Sequence, residues 1–232
     1  TSNNETPLFN GNIESKIDEY FNYIKSLNYK LSKNKNLAGN IHILRNKEHN
    51  VFFDVGEPPK KNFSNNYQSG PLSFEYFINK NKIITNCGFG SQISKKAELL
   101  SRLTSAQSTL CLNDASVTKF ERSRLINNAF GTSVKNNFKI SDENFIENDS
   151  DIEITASHNA YEKNFGYVHK RSIKMLKIDG SLFGSDYLIK KKNKTFNLSY
   201  SIRFHLYPGI LAIQTMGGNS ILLQIEKNKS LI

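Results

Sequence analysis

Residues 166–189 read GYVHKRSIKMLKIDGSLFGSDYLI, two runs rich in β-branched and aromatic residues on either side of an Asp-Gly pair. Runs of this composition favour strands, and Asp179-Gly180 is typical of the tight turn between two antiparallel strands. The stretch therefore predicts a β-hairpin in the second half of the chain.

Similar runs recur on both sides of this hairpin. Pro208-Gly209 and Gly217-Gly218-Asn219 separate runs that follow it, and the polar segment 79–82 separates two runs that precede it. Short strands joined by tight turns favour antiparallel sheets over alternating βαβ units. The sequence predicts a mainly β fold, a large antiparallel sandwich of the supersandwich type. The predicted strands are residues 41–44, 51–55, 72–78, 83–87, 108–112, 152–158, 166–178, 182–189, 195–206, 210–215 and 220–225.

The amino-terminal segment has a different period. Between residues 13 and 27 the apolar side chains recur every three or four positions, and Asn12 stands where a helix cap is expected. We therefore predict one amphipathic helix here, the only substantial helix of the chain. Residues 91–102 are predicted to be irregular, and residues 119–151 to form a long loop with one short strand near Phe138.

Composition limits the classes of protein that the chain can represent. It has 232 residues, 38% of them hydrophobic, and a formal net charge of 31 − 21 = +10. This composition excludes a disordered chain, and no apolar run reaches the roughly 18 residues that span a bilayer. The basic charge suits a polyanion, but no nucleic-acid motif accompanies it, so we expect neither a nucleic-acid partner nor a membrane span. The dense run at residues 190–194 is typical of a solvated turn.

The common catalytic motifs are absent from the sequence. It contains no Gly-rich phosphate loop, no HExxH, no zinc-finger spacing and no nucleophile elbow. The two cysteines, Cys87 and Cys111, are predicted to be buried as small hydrophobic residues, with a single disulfide between them as the alternative.

Polar residues suited to chemistry concentrate in three blocks, ASHNAY at 156–161, FGYVHKR at 165–171 and IRFHLYPG at 202–209. Residues two apart on a strand share a face, so His169 is paired with Arg171 and Arg203 with His205. Two interpretations of such pairs stay open at this point. They can be aimed at a substrate, or they can be structural polar pairs that hold neighbouring strands.

These blocks, with PLFNG, VFFDVGEPP, GPLSFEYF and SAQSTLCLND before them, occur in an order that resembles the carboxy-terminal β-sheet domain of the heparinase II/III-like polysaccharide lyases. The resemblance extends from about residue 7 to residue 225. It implies that residues 1–36 are a helical remnant that follows an (α/α) toroid domain, and that residues 37–232 form the β-sheet domain. It also implies a substrate cleft between the two domains, and a location in the periplasm or cell envelope.

The resemblance further implies β-elimination on acidic, uronic-acid-containing polysaccharides. The uronate carboxylate must be neutralised, the C5 proton removed and the leaving O4 protonated. No cofactor is required, although a structural zinc or calcium is compatible with the family. The implied catalytic residues are His158, Tyr161 and His205; the implied substrate-binding residues are Gln107, Asn113, His169, Arg171 and Arg203; the implied metal ligands are Asp114 and His158.

One position departs from the family pattern. Gln107 stands where the family usually has a histidine, and glutamine can hydrogen-bond a sugar but cannot transfer a proton near neutral pH. The alternative interpretation is therefore a non-catalytic β module, which binds glycan without cleaving it or has a structural role against the toroid.

Overall fold

A computed structural model of the chain describes residues 6–12, 18–29, 36–121, 131–193, 197–226 and 229–231, together with residues 123, 125 and 127. Within these residues the structure contains fifteen strands and three α-helices. The helices are α1 (Asp18–Ser26), α2 (Lys95–Ser101) and α3 (Glu162–Phe165). None of the helices described has the length and apolar character needed to cross a membrane.

The strands form four sheets, and every pairing between them is antiparallel. The bounds are β1 (Leu37–Ala38), β2 (Ile41–Arg45), β3 (His49–Asp54), β4 (Phe74–Ile78), β5 (Asn81–Thr85), β6 (Leu110–Leu112), β7 (Ile140–Glu147), β8 (Asp151–His158), β9 (Tyr167–Leu176), β10 (Leu182–Lys190), β11 (Tyr200–Ile202), β12 (His205–Leu206), β13 (Leu211–Gln214), β14 (Ile221–Glu226) and β15 (Lys229–Leu231). The sheet orders are β1-β2-β3-β4-β5-β12, β10-β9-β8-β7, β13-β14-β15 and β11-β6.

The main core lies between the six-stranded and the four-stranded sheet. Alternate residues of β8, such as Ile152 and Ile154, point inward and pack in one cluster with Leu44, Val51 and Phe53 of the facing sheet. Complete burial of such a side chain stabilises the fold by about 1.5–3 kcal/mol. Two antiparallel sheets that share one core confirm the predicted β-sandwich.

The hairpin predicted from residues 166–189 is confirmed as β9 and β10. Met175 pairs with Leu182 at its closed end, and Gly180 in the turn has φ +75°. A Cβ atom at Gly180 would lie only 2.2 Å from Cδ2 of His49, so this position requires glycine for both its backbone angle and its close neighbour.

The predicted amino-terminal helix is confirmed as α1, although residues 13–17 of the prediction lie outside the described residues. No side chain of α1 is buried, and Tyr20 and Tyr23 on its surface are largely exposed. The proposed domain boundary after residue 36 stays a prediction.

Three local predictions were wrong. Residues 91–102 contain α2, which begins after Ser94; the Ser94 hydroxyl accepts a hydrogen bond from the Ala97 amide at 3.0 Å. Residues 119–151, predicted as a long loop with one short strand near Phe138, contain the eight-residue edge strand β7, which begins at Ile140. Its polar composition concealed its length, because most of its side chains are exposed. The strand predicted at residues 195–206 divides into β11 and β12, which join different sheets.

The two cysteines have different environments. Cys111 is buried in β6, as predicted, whereas Cys87 is exposed, two residues after the end of β5. Both are free thiols, so the predicted burial is wrong for Cys87 and the alternative of a disulfide between them does not hold.

Candidate functional site

Four polar side chains meet between β8, β9 and β10, and we call them the histidine relay: His158, His169, Arg171 and Asp186. The strand register places His158 beside His169 and Arg171 beside Asp186. Nε2 of His158 lies 3.0 Å from Nδ1 of His169, and Nε2 of His169 lies 2.6 Å from Oδ1 of Asp186. Both histidine rings are fully buried.

The hydrogen bonds define the tautomers of the relay. The Ala160 amide donates to Nδ1 of His158 at 3.3 Å, so the ring proton of His158 lies on Nε2 and is donated to His169. His169 in turn donates its Nε2 proton to Asp186. Burial lowers the pKa of His169 and places the pKa of His158 well below its usual range, so both rings are neutral near pH 7.

Arg171 anchors the relay to the rest of the domain. Its Nε and Nη2 donate to the two carboxylate oxygens of Asp186 at 2.8 and 3.0 Å. Its Nη1 donates to the carbonyls of Leu72 and Ser108 at 2.9 and 3.0 Å. Burial opposes ionisation of Asp186, but the hydrogen bond from His169 and the charge of Arg171 lower its pKa to about 2. The shared face of His169 and Arg171 is therefore confirmed, and both side chains bind Asp186.

A second polar group, the arginine cluster, lies at the β6–β11 ladder and comprises Asn113, Asp114, Ser201 and Arg203. Arg203 donates from Nη1 to the Ser201 hydroxyl at 2.6 Å and from Nη2 to Oδ1 of Asp114 at 3.1 Å. The Arg203 side chain is 31% exposed and that of Asp114 is 81% exposed. This guanidinium is accessible from solvent, in contrast to that of Arg171.

Asn113 supports the backbone beside this arginine. Its backbone has φ +50°. Its side-chain Oδ1 accepts a hydrogen bond from the Ser199 backbone amide at 2.7 Å, and the backbone amide of Asn113 donates to the Ser199 carbonyl. Asparagine tolerates the left-handed backbone angle better than most residues. Asn113 therefore closes the end of the β6–β11 ladder and fixes the position of Asp114.

Tyr161 and Gln107, two further predicted site residues, are buried. The Tyr161 hydroxyl donates to the Leu110 carbonyl at 3.1 Å and accepts from the Leu112 amide at 3.3 Å. Gln107 donates from Nε2 to the carbonyls of Ser101 and Leu103 at the end of α2, at 2.8 and 3.4 Å. Both side chains hold neighbouring backbone in place, and their roles in catalysis and substrate binding stay predictions.

His205 lies in a separate, half-buried pocket of about 570 Å³, which Thr85, Asn86 and Tyr207 also line. Its Nε2 donates to the Ser105 carbonyl at 3.0 Å, which leaves Nδ1 as the acceptor nitrogen. Burial lowers the pKa of His205, and the nearby charge of Arg203 acts in the same direction. The ring is therefore neutral near pH 7 and carries a lone pair on Nδ1.

The two predicted metal ligands are engaged with other partners. Asp114 pairs with Arg203, and both ring nitrogens of His158 take part in the hydrogen bonds of the relay. Among the residues that the structure describes, no three His, Cys, Asp or Glu side chains form a group that could hold a metal ion. These residues provide no third ligand, and a structural zinc or calcium stays a prediction.

A cavity of about 880 Å³ beside the relay was not predicted from the sequence. Arg171 and Asp186 line it together with largely apolar residues from nine strands and from the segment between β11 and β12. Phe204 packs edge-on against Phe74 at a ring distance of 5.9 Å and forms part of its wall. The available signal was that β10 carries apolar residues on both faces, Leu182 and Leu188 on one and Phe183 and Ile189 on the other, whereas antiparallel sheets commonly have one polar face.

The profile of the family described as Heparinase II/III-like, C-terminal, matches residues 32–232. This match covers most of the chain. The chain belongs to the heparinase II/III-like family, as a carboxy-terminal domain. No curated protein matches it by sequence.

Solved structures of similar fold include a heparan sulfate lyase, HepC, from Pedobacter heparinus, with a TM-score of 0.68 and 15% identity over 96% of this chain and 35% of that chain. A heparinase III, the BT4657 gene product, gives a TM-score of 0.70 at 12% identity, over 97% of this chain and 35% of that chain. Identities this low show a shared fold. This heparinase-type chain spans about a third of the length of those proteins.

Proposed function

We propose that the chain acts as the carboxy-terminal β domain of a polysaccharide lyase that cleaves uronic-acid-containing glycans. The observation that carries the proposal is the family match over residues 32–232. In this proposal a preceding (α/α) toroid domain completes the active site, and the protein works in the periplasm or cell envelope.

The proposed reaction is β-elimination at the uronic acid. A base takes the C5 proton, the electron pair forms a C4=C5 double bond, the C4–O4 bond breaks, and an acid gives a proton to the leaving O4. The proton at C5 becomes removable when the adjacent carboxylate is neutralised, so a positioned cation accelerates the reaction electrostatically.

Arg203 is the residue of this chain best placed to neutralise the carboxylate. Its guanidinium is partly exposed. It donates one hydrogen bond each to Ser201 and Asp114 and also contacts the Cys111 thiol, and guanidinium has five N–H donors, so donors stay available on the exposed side. Arginine binds a carboxylate with two parallel hydrogen bonds, which lysine cannot do. Asp114 fixes the orientation of the side chain before substrate arrives.

His205 is the proposed proton acceptor from this domain. Its contact with the Ser105 carbonyl fixes the Nε2 proton, and its lowered pKa keeps Nδ1 unprotonated near neutral pH. A neutral imidazole with a defined acceptor nitrogen is suited to general-base catalysis. The toroid then supplies the acid for O4.

A specific observation favours the second candidate, a glycan-binding module without catalysis. Gln107 occupies the usual histidine position of the family, and its side-chain NH2 group donates to the backbone carbonyls of Ser101 and Leu103. In this alternative the domain retains Arg203 as a carboxylate contact and has lost a proton-transfer group.

Incubation of the full-length protein that contains this chain with uronic-acid polymers tests the proposal. The conjugated C4=C5 product absorbs in the ultraviolet, and we expect this absorbance to rise with the full-length protein and not with residues 1–232 alone. Arg203→Ala should lower the rate about tenfold or more, because a charge-assisted hydrogen bond is worth about 1.5–3 kcal/mol. Binding without product would favour the non-catalytic module, and the absence of both would overturn the proposal.

A further inference from the structure

A groove of about 630 Å³, the lysine groove, shares no lining residue with the arginine cluster or with the pocket of His205. Four lysines from separate segments converge on it, with four asparagines and one glutamate. Its lining residues are Lys119, Lys135, Asn136, Asn137, Asn159, Ala160, Glu162, Lys163, Asn164 and Lys192. The charged side chains sum to 4 − 1 = +3.

The backbone brings two of these lysines directly opposite each other. Phe120 and Val134 form an antiparallel bridge, and the Lys135 amide donates to the Lys119 carbonyl at 2.7 Å. Like charges opposite each other on paired strands are destabilising. The charge of Lys135 is partly compensated by Glu121, whose carboxylate lies 3.1 Å from its ammonium group. Both lysine side chains are nevertheless exposed to solvent.

α3 and Lys192, which follows β10, also line the groove. Gly166, with φ +82°, ends α3, and its carbonyl accepts hydrogen bonds from the amides of Lys191 and Lys192. A Cβ atom at Gly166 would lie 2.8 Å from the Lys192 carbonyl, so glycine is needed for this close approach. The contact holds Lys192 at the groove, where its Nζ lies 3.4 Å from Glu162.

The four asparagines of the groove are of two kinds: two bind the backbone of neighbouring segments, and two are exposed. Asn136 binds the Lys119 amide and the Val117 carbonyl, and Asn159 accepts from the Lys139 amide at 2.8 Å. Asn137 and Asn164 are exposed and present amides at the groove. Such amides both donate to and accept from sugar hydroxyls.

A second polar groove shows that this charge is not a general property of the surface. It has a similar volume of about 650 Å³, and its Arg45, Lys47 and Lys177 are balanced by Glu48, Glu147 and Asp179. Lys177 and Glu147 form an ion pair of 2.9 Å there. The lysine groove is thus distinguished by a net charge of +3 on its lining residues, of which Glu121, outside the lining, offsets one through Lys135.

We propose that the lysine groove binds anionic sugar units of a polysaccharide, as a site separate from the arginine cluster and the pocket of His205. Its described lining contains no aromatic side chain, whereas single-stranded nucleic acids are usually bound by base stacking on aromatic rings. Ammonium groups attract sulfate or carboxylate, and the amides and Glu162 suit hydroxyl groups. The glycan class rests on the proposed function, but the site and its test are independent of cleavage.

The test is a binding titration of a heparin oligosaccharide to the full chain, at low and at physiological salt. We expect the triple variant Lys119→Gln, Lys135→Gln and Lys163→Gln to lose about tenfold or more in affinity at low salt, with a shallower salt dependence, because these contacts are electrostatic. Glutamine keeps most of the side-chain length at these exposed positions, and thermal unfolding of each variant checks the fold.

The matched control removes the same charge elsewhere, as Lys47→Gln, Lys190→Gln and Lys191→Gln. This variant should lose less than about threefold, because these lysines lie outside the groove. Equal losses in the two triple variants would overturn the proposal, as would tighter binding of a single-stranded oligonucleotide that displaces the oligosaccharide. Groove binding by a protein that forms no unsaturated product would support the groove and contradict only the proposed reaction.

Discussion

The residues that the structure describes form two Arg–Asp pairs, and these pairs differ in burial and in the number of their hydrogen bonds. Arg171 and Asp186 are joined by two hydrogen bonds of 2.8 and 3.0 Å, with side chains only 2% and 9% exposed. Arg203 and Asp114 are joined by one contact of 3.1 Å, with side chains 31% and 81% exposed.

The difference separates a structural pair from a candidate binding pair. The donors of Arg171 are used on Asp186 and on two backbone carbonyls, so this arginine joins strands β9 and β10 to the segments before β4 and β6. Arg203 keeps donors toward solvent, where a substrate carboxylate could replace or join Asp114. In the proposed function the same two residue types thus have different roles, structural where the pair is buried and substrate-binding where it is exposed.

The largest expected effect comes from breaking the buried pair. Asp186→Ala leaves the charge of Arg171 buried without a partner, and we expect the free energy of unfolding to fall by about 3–5 kcal/mol. Urea-induced unfolding of the variant and the wild type measures this change. A loss below about 1 kcal/mol would mean that water or another group compensates Arg171 and that the pair is not structural.

Acid should weaken the buried pair in a defined range of pH. The pKa of Asp186 is lowered to about 2 in the fold, so its ionised form stabilises the native state above the unfolded pKa of about 4. This contribution, about 2 kcal/mol, should disappear as the pH falls from about 4 to 2. Urea unfolding at several pH values, compared with Asp186→Asn, isolates it; parallel pH profiles for the two proteins would contradict it.

A smaller effect is expected from the buried hydroxyl of Tyr161. Tyr161→Phe leaves the Leu112 amide without its acceptor, which should cost about 1–3 kcal/mol of stability. The rate of the full-length protein tests the predicted catalytic role at the same time. A loss of stability with an unchanged rate would restrict Tyr161 to a structural role, and a lost rate at unchanged stability would support catalysis.

The smallest effect on stability is expected at the exposed pair. Asp114→Ala removes a single contact between largely exposed groups, which is worth about 1 kcal/mol or less. It is the matched control for Asp186→Ala under the same urea titration. If both alanine variants lost equal stability, the contrast between the two pairs would be wrong.

The sequence predicted the sandwich and most of its strands because inward and outward residues alternate in strands such as β8 and β9. It predicted only a short strand near Phe138 in place of the eight-residue β7, since an exposed edge strand lacks that alternation. It missed α2, although Ser94 was available as a cap signal. It also placed His169, Arg171 and Arg203 in a single list of site residues. Burial of the first two depends on how the sheets pack, and local patterns do not encode that packing.

The most direct test of the proposed contact between Arg203 and the substrate carboxylate is a titration in which each of the two groups is removed in turn. A uronic-acid oligosaccharide and its carboxyl-reduced form are each titrated with the full-length wild type and with Arg203→Ala. If Arg203 binds the carboxylate, either change alone lowers the affinity about tenfold or more, and the second change then adds almost nothing. Losses that add independently would show that Arg203 does not contact the carboxylate, and would contradict the assignment of the exposed pair to substrate.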